Sequence, residues 1–199
     1  MSKQRVKITL LCEDKQQEVF ARYFLEKYGF KRQDIYSYPI PIGQSGEQFV
    51  RETYLNEVRK YRQAVNIKIN NQRKNARRTT IIVLIVMTDA DNLSVKQRLN
   101  QLSSILQENN LPDRQKEEAI AVLIPKRNIE TWIGYLKGEK VNEEEKKTYN
   151  KLLKESYCKP YSENLAERCQ RQEKLEDAPD SLNIACQEFQ RLLPLLNSI

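Results

Sequence analysis

Residues 79–92 read TTIIVLIVMTDADN, and this stretch decides the fold. Ile81 to Met87 is the most apolar run in the chain. It shows no alternation of polar and apolar residues. Such a run fits a central parallel strand buried on both faces. It ends in acid, at Asp89-Ala90-Asp91. An earlier apolar run, Val6 to Cys12, also ends in acid, at Glu13. Parallel strands deliver their C-terminal ends to one edge of a sheet, so the two runs predict one site. Three carboxylates gathered there would repel one another unless a divalent metal neutralised them. The single residue between Asp89 and Asp91 lets both face one cation, with water filling its remaining positions. Helix capping is the plainer use of acids at such positions.

Outward from this stretch, residues 5–12 read as a first strand and about 16–28 as a helix with a Val19, Phe20, Tyr23, Phe24 stripe. Asp14 suits its N-cap and Gly29 its end. Ile35 to Ile42 reads as a short strand broken by Pro39 and Pro41. A long helix is expected from about Glu47 to Ala76. Asn92 or Ser94 caps a helix from about Val95 to Asn109, whose core face is Leu99, Leu102, Ile105 and Leu106. Ala119 to Ile124 is another continuous strand, and a helix starts near Ile129. The alternation of strand and helix predicts an α/β fold: a four-stranded, mostly parallel sheet flanked by helices. That domain covers residues 1–138. Residues 139–199 show no strong strand and read as a helical C-terminal extension packed on it, with helices at about 142–155, 161–175 and 180–197.

The charge is local. The chain has 34 Lys and Arg against 27 Asp and Glu, a formal +7. The segment Arg51–Thr80 holds nine basic residues and only Glu52 and Glu57, so it carries the whole excess. A basic run interleaved with Tyr54 and Tyr61 suits contact with nucleic-acid phosphates, without reading of sequence. The candidates are Arg59, Lys60, Arg62, Lys68, Arg73, Lys74, Arg77 and Arg78, joined by Lys126. A solvated helix face is the alternative. Lys126-Arg127 follows the last strand, and a guanidinium there would stabilise charge developing on a phosphate.

There is no histidine, and none of the four cysteines forms a CxxC pair. The composition therefore excludes a Ser/His/Asp triad and a histidine general base, and argues against the usual zinc sites. The Gly43–Glu47 turn lacks the length and the Lys of a P-loop. The opening MSKQRVKITLLCED reads as neither a signal peptide nor a membrane span. A cytoplasmic protein with reduced thiols and no membrane contact is expected.

A strand ending in Glu13, a following helix, and a strand ending in Asp89-Ala90-Asp91 resemble the Toprim domain. That domain is shared by topoisomerases, bacterial primases, OLD-type nucleases and small ribosomal RNA maturases. The resemblance covers about residues 5–137. It implies a Toprim-like sheet with Glu13, Asp89 and Asp91 as catalytic residues and ligands of Mg²⁺ or Mn²⁺. In Asn128-Ile129-Glu130-Thr131-Trp132, it implies that Glu130 assists as a further metal or orienting carboxylate. The activity implied is metal-dependent hydrolysis of DNA or RNA by an endonuclease, with Arg127 on the phosphate. It also implies an ATPase or other partner chain of an anti-phage defence system. The chain departs from the pattern in two places. Asp14 stands where many Toprim proteins have Gly, and Gln17 stands where OLD-type nucleases often have Glu. Those departures motivate the alternative of a catalytically inactive Toprim-like subunit that binds nucleic acid or a partner protein.

Overall fold

The computed structural model describes residues 5–72, 80–145 and 152–197. Four strands form one sheet: β1 (Arg5–Cys12), β2 (Ile35–Ser37), β3 (Thr80–Met87) and β4 (Ile120–Leu123). Their order is β2-β1-β3-β4, and every neighbouring pair is parallel. The expected α/β class therefore holds, and the sheet is parallel throughout. The two longest strands occupy its centre. Leu10, Leu11, Leu84, Ile85 and Val86 are at most 2% exposed, which is why neither strand alternates.

Among the described residues, six α-helices accompany the sheet: α1 (Lys15–Lys27), α2 (Gly46–Gln72), α3 (Val95–Glu108), α4 (Ile129–Leu136), α5 (Lys159–Gln170) and α6 (Asp180–Asn197). α2 packs on β1, β3 and α3, whereas α1 packs on α5. Local chemistry sets their starts. Asp14 caps α1 by accepting from Gln17 N at 2.7 Å. Of the two candidate caps before α3, Ser94 is the one used. It forms a reciprocal capping box with Gln97. Asn128 caps α4.

Three expectations are corrected. β2 stops at Ser37 instead of reaching Ile42, because Pro39 and Pro41 have no N–H for a ladder. The helix expected over 142–155 is not formed by its described residues. Instead, Glu143 turns inward and its carboxylate accepts from the backbone N–H and hydroxyl of Ser181, in the first turn of α6. Finally, the thiols are not all reduced: Cys169 of α5 is joined to Cys186 of α6, with Cα atoms 5.7 Å apart. Cys12 and Cys158 are free and buried.

The C-terminal helices share the core of the sheet domain. Phe189 of α6 meets Phe24 of α1 edge to face, with ring centroids 4.8 Å apart. Trp132, 1% exposed, donates its indole N–H to Ser181 Oγ at 2.7 Å. One continuous apolar cluster runs through residues 8–192. α6 also seals the outer edge of the sheet, where Arg114 and Arg191 donate to the carbonyl of Ile120. Phe24 of α1, Trp132 of α4 and Phe189 of α6 line one apolar cavity with Ile85 and Met87 near the end of β3. No described helix is long and apolar enough to cross a membrane.

Candidate functional site: a carboxylate edge

β1 and β3 pair in register from Arg5↔Thr80 to Cys12↔Met87. Both chains therefore leave the sheet side by side, and Glu13 emerges next to Thr88 and Asp89. The geometry follows from this. Glu13 Oε2 accepts from the Thr88 hydroxyl at 2.8 Å and from Asp89 N at 2.9 Å. Glu13 and Asp89, 76 positions apart in the chain, thus share one strand edge, as the sequence predicts.

Gln17 completes the link. It is fully buried, its Oε1 accepts from Glu13 N at 3.0 Å, and its Nε2 donates to Asp89 Oδ1 at 2.8 Å. An amide does both jobs because it carries an acceptor and a donor, whereas an ionised Glu at this position could not donate to Asp89. The departure from the Toprim pattern is thus a structural bridge between the two acids.

The edge is poor in compensating charge. Burial raises the Asp89 pKa well above its ordinary value, and Glu13, Asp14 and Asp91 push it further. Burial likewise raises Glu13, opposed by the hydrogen bonds from Asp89 N and Thr88. The start of α2 presses on the same place. A Cβ on Gly46 would stand 1.9 Å from Glu13 O, so only glycine permits this approach. The positive end of the α2 dipole thereby comes next to Glu13.

Asp91 stands slightly apart. Its φ is +55°, its side chain is about half exposed, and Oδ2 lies 3.4 Å from Arg98 Nη2. Glu130, in the first turn of α4, is 5% exposed. Among the described residues, no three Asp, Glu, Cys or His side chains are grouped closely enough to hold a metal. The donor set is nevertheless of the right type for a hard cation. Glu13 Oε1 and Asp89 Oδ2 meet no hydrogen-bond donor among the described residues, so each carboxylate has an oxygen to offer Mg²⁺ or Mn²⁺.

The basic candidates are placed differently from the acids. Arg127 donates to the carbonyls of Glu143, Asp91 and Glu144 at 2.8–2.9 Å. It clamps the 143–144 loop onto the turn after β3. Lys126 donates to Leu93 O at 2.8 Å and lines a groove of about 430 Å³ between the starts of α3 and α6. On α2, Arg62 grips Glu118 through Nε and Nη2, at 2.6 and 3.0 Å. Lys60 pairs with Glu57 at 2.7 Å, Arg51 lies 3.6 Å from Glu47, and Arg59 reaches Asn109 at 3.4 Å. Arg73, Lys74, Arg77 and Arg78 lie outside the described residues, as does the side chain of Lys68.

Sequence reasoning missed Gly46, Thr88 and Arg98, and took Gln17 only as a departure from a family pattern. Arg98 had a legible signal. It occupies the apolar stripe of α3 with Leu102 and Leu106, one and two turns further on, where a charge is out of place unless it has a partner.

Comparison of the chain with protein-family models, with curated proteins and with solved structures gives no match.

Proposed function

We propose that this chain is a Mg²⁺- or Mn²⁺-dependent phosphodiester hydrolase of nucleic acid, a Toprim-type nuclease. The observation that carries this reading is the link between Glu13 and Asp89. Two carboxylates share a desolvated strand edge, and each keeps one oxygen without a donor among the described residues. Glu13, Asp89 and Asp91 would hold the metal, with Glu130 assisting. The bound ion would supply Lewis-acid stabilisation of the phosphate and an activated water. The chain itself does the positioning. Gln17 and Thr88 orient the two acids, Arg127 fixes the Asp91 backbone, and the α2 N-terminus sits against Glu13. Phosphate contacts would fall to Lys68, to Arg73, Lys74, Arg77 and Arg78, which follow α2 in the sequence, and to Lys126. A defence-system partner chain and a cytoplasmic setting belong to the same reading. The Cys169–Cys186 bond pulls against that setting, because cytosolic thiols are mostly kept reduced.

Labelled DNA and RNA, incubated with the purified chain in Mg²⁺, Mn²⁺ or EDTA, test the proposal. Cleavage with metal and none in EDTA is expected. A second reading, a non-catalytic binding subunit, is favoured by one observation: Gln17 occupies the bridge between the acids with an amide. Binding of nucleic acid without cleavage under either metal would select it.

A further inference from the structure

Arg98 is the most deeply buried charged side chain beside the carboxylate edge, at 3% exposed. Its guanidinium is divided between two elements. Nη1 donates to Glu47 Oε1 at the start of α2 and to Gln101 Oε1 at 3.0 Å. Nη2 reaches Asp91 Oδ2 at 3.4 Å, near the limit of a hydrogen bond. Nε has no acceptor among the described residues. Leaving a buried N–H of a charged group idle is costly, and a purely structural arginine fills its fork. This one keeps donor capacity in hand next to acids that lack compensation. It is also the cation that pulls the Glu13 carboxyl down, whereas the main influences on Asp89 include three carboxylates and no cation.

We propose that Arg98 is the resident counter-ion of the carboxylate edge: it holds the Asp91 side chain in the metal-free protein and yields it when a divalent cation binds. The inference rests on the metal reading above. The structure allows the exchange at low cost. The Asp91 backbone is fixed independently, because its carbonyl accepts from Arg127 Nη1 at 2.8 Å. Its side chain is about half exposed and, among the described residues, held by the long Arg98 contact alone, so rotation of that side chain suffices. Glu47 sets the balance. It draws the guanidinium toward α2 and away from Asp91.

Competition for one oxygen gives effects of opposite sign. The test is titration of the full chain, stripped of metal, with Mn²⁺ followed by calorimetry. Removing the guanidinium charge in Arg98→Gln should tighten Mn²⁺ binding about tenfold, a change of about 1.4 kcal/mol. Arg98→Lys keeps the charge and should stay near the parent. Glu47→Gln releases the guanidinium toward Asp91 and should weaken binding about threefold. A merely structural arginine would change thermal stability and leave the Mn²⁺ affinity unmoved. Parent-like or weaker binding by Arg98→Gln overturns the proposal. Should that variant fail to fold, unchanged or tighter binding by Glu47→Gln overturns it. A parent chain that takes up no Mn²⁺ would sink the metal reading itself, whereas a binding parent with indifferent variants sinks only the role of Arg98.

Discussion

The carboxylate edge and the basic helix look alike in the sequence, as two dense charge clusters, but the fold treats them in opposite ways. On α2, each of the four basic side chains that can be followed has a polar or charged partner. Arg62 has Glu118, Lys60 has Glu57, Arg51 has Glu47 and Arg59 has Asn109. At the ends of β1 and β3, Asp89 is surrounded by further acids, and its charge is opposed by burial. Three of the four described basic side chains of the run, Arg51, Lys60 and Arg62, are thus paired with carboxylates in space, while a modest pair of strand-end acids is left short of cations. Electrostatic frustration points to a candidate site better than charge density does, because desolvated, mutually repelling carboxylates with shifted pKa values cluster at functional sites.

The largest effect expected on this contrast is at the acid edge. Asp89→Asn keeps Oδ1 for Gln17 but removes a charge that the proposed metal would need. Cleavage should fall about 10²–10³-fold. Affinity for nucleic acid, read by gel shift in Ca²⁺, should stay within twofold of the parent. Cleavage at the parental rate would place the chemistry elsewhere.

Gly46→Ala drives a Cβ into the Glu13 backbone. Overpacking of this kind costs about 1–3 kcal/mol, seen as a lower urea midpoint at unchanged m-value. A neutral result would mean that α2 does not press on the edge.

Arg62→Ala sharpens the other half of the comparison. It strands the partly buried Glu118, which also accepts from Gln115 N, and frees the carbonyls of Pro112 and Asp113. The expected loss is about 1–3 kcal/mol of stability with little change in nucleic-acid affinity. The reverse pattern, intact stability and weakened binding, would return Arg62 to the nucleic-acid face.

The edge was legible because strand-end position needs only hydrophobic run lengths and the parallel rule. β3 declared itself through Ile81–Met87, and Glu13 and Asp89 followed from it. The partners of the basic helix were not legible. Glu118 lies 56 positions from Arg62, and no local pattern links them. Gln17 looked like a loss of function when compared with a family pattern. Its role as a bridge depends on the Cys12↔Met87 register, which exists only in the folded sheet. The start of the helix expected over 142–155 is not helical at residues 142–145 for a related reason: Glu143 caps α6 instead, while residues 146–151 lie outside the described residues. Cys169 and Cys186 carry no spacing motif, and only the packing of α5 on α6 brings them together.

The smallest effect expected is on pH dependence. The folded state raises the Asp89 and Glu13 pKa values, so above the ordinary carboxylate range the native chain holds more protons than the unfolded one. Stability from these groups therefore falls as pH rises through that window. In EDTA, Asp89→Asn should be more stable than the parent at pH 8, and the gap should narrow at pH 5. Urea unfolding at the two pH values checks this, and a gap independent of pH would contradict the desolvated-acid account.

The central claim is that Glu13 and Asp89 form one cation-seeking centre, and direct metal binding tests it. Mn²⁺ titrated into the metal-free chain should bind saturably, and Glu13→Gln and Asp89→Asn should each abolish that binding while the protein stays folded. Saturable binding that survives both substitutions, or a parent that binds no Mn²⁺ at all, would contradict it.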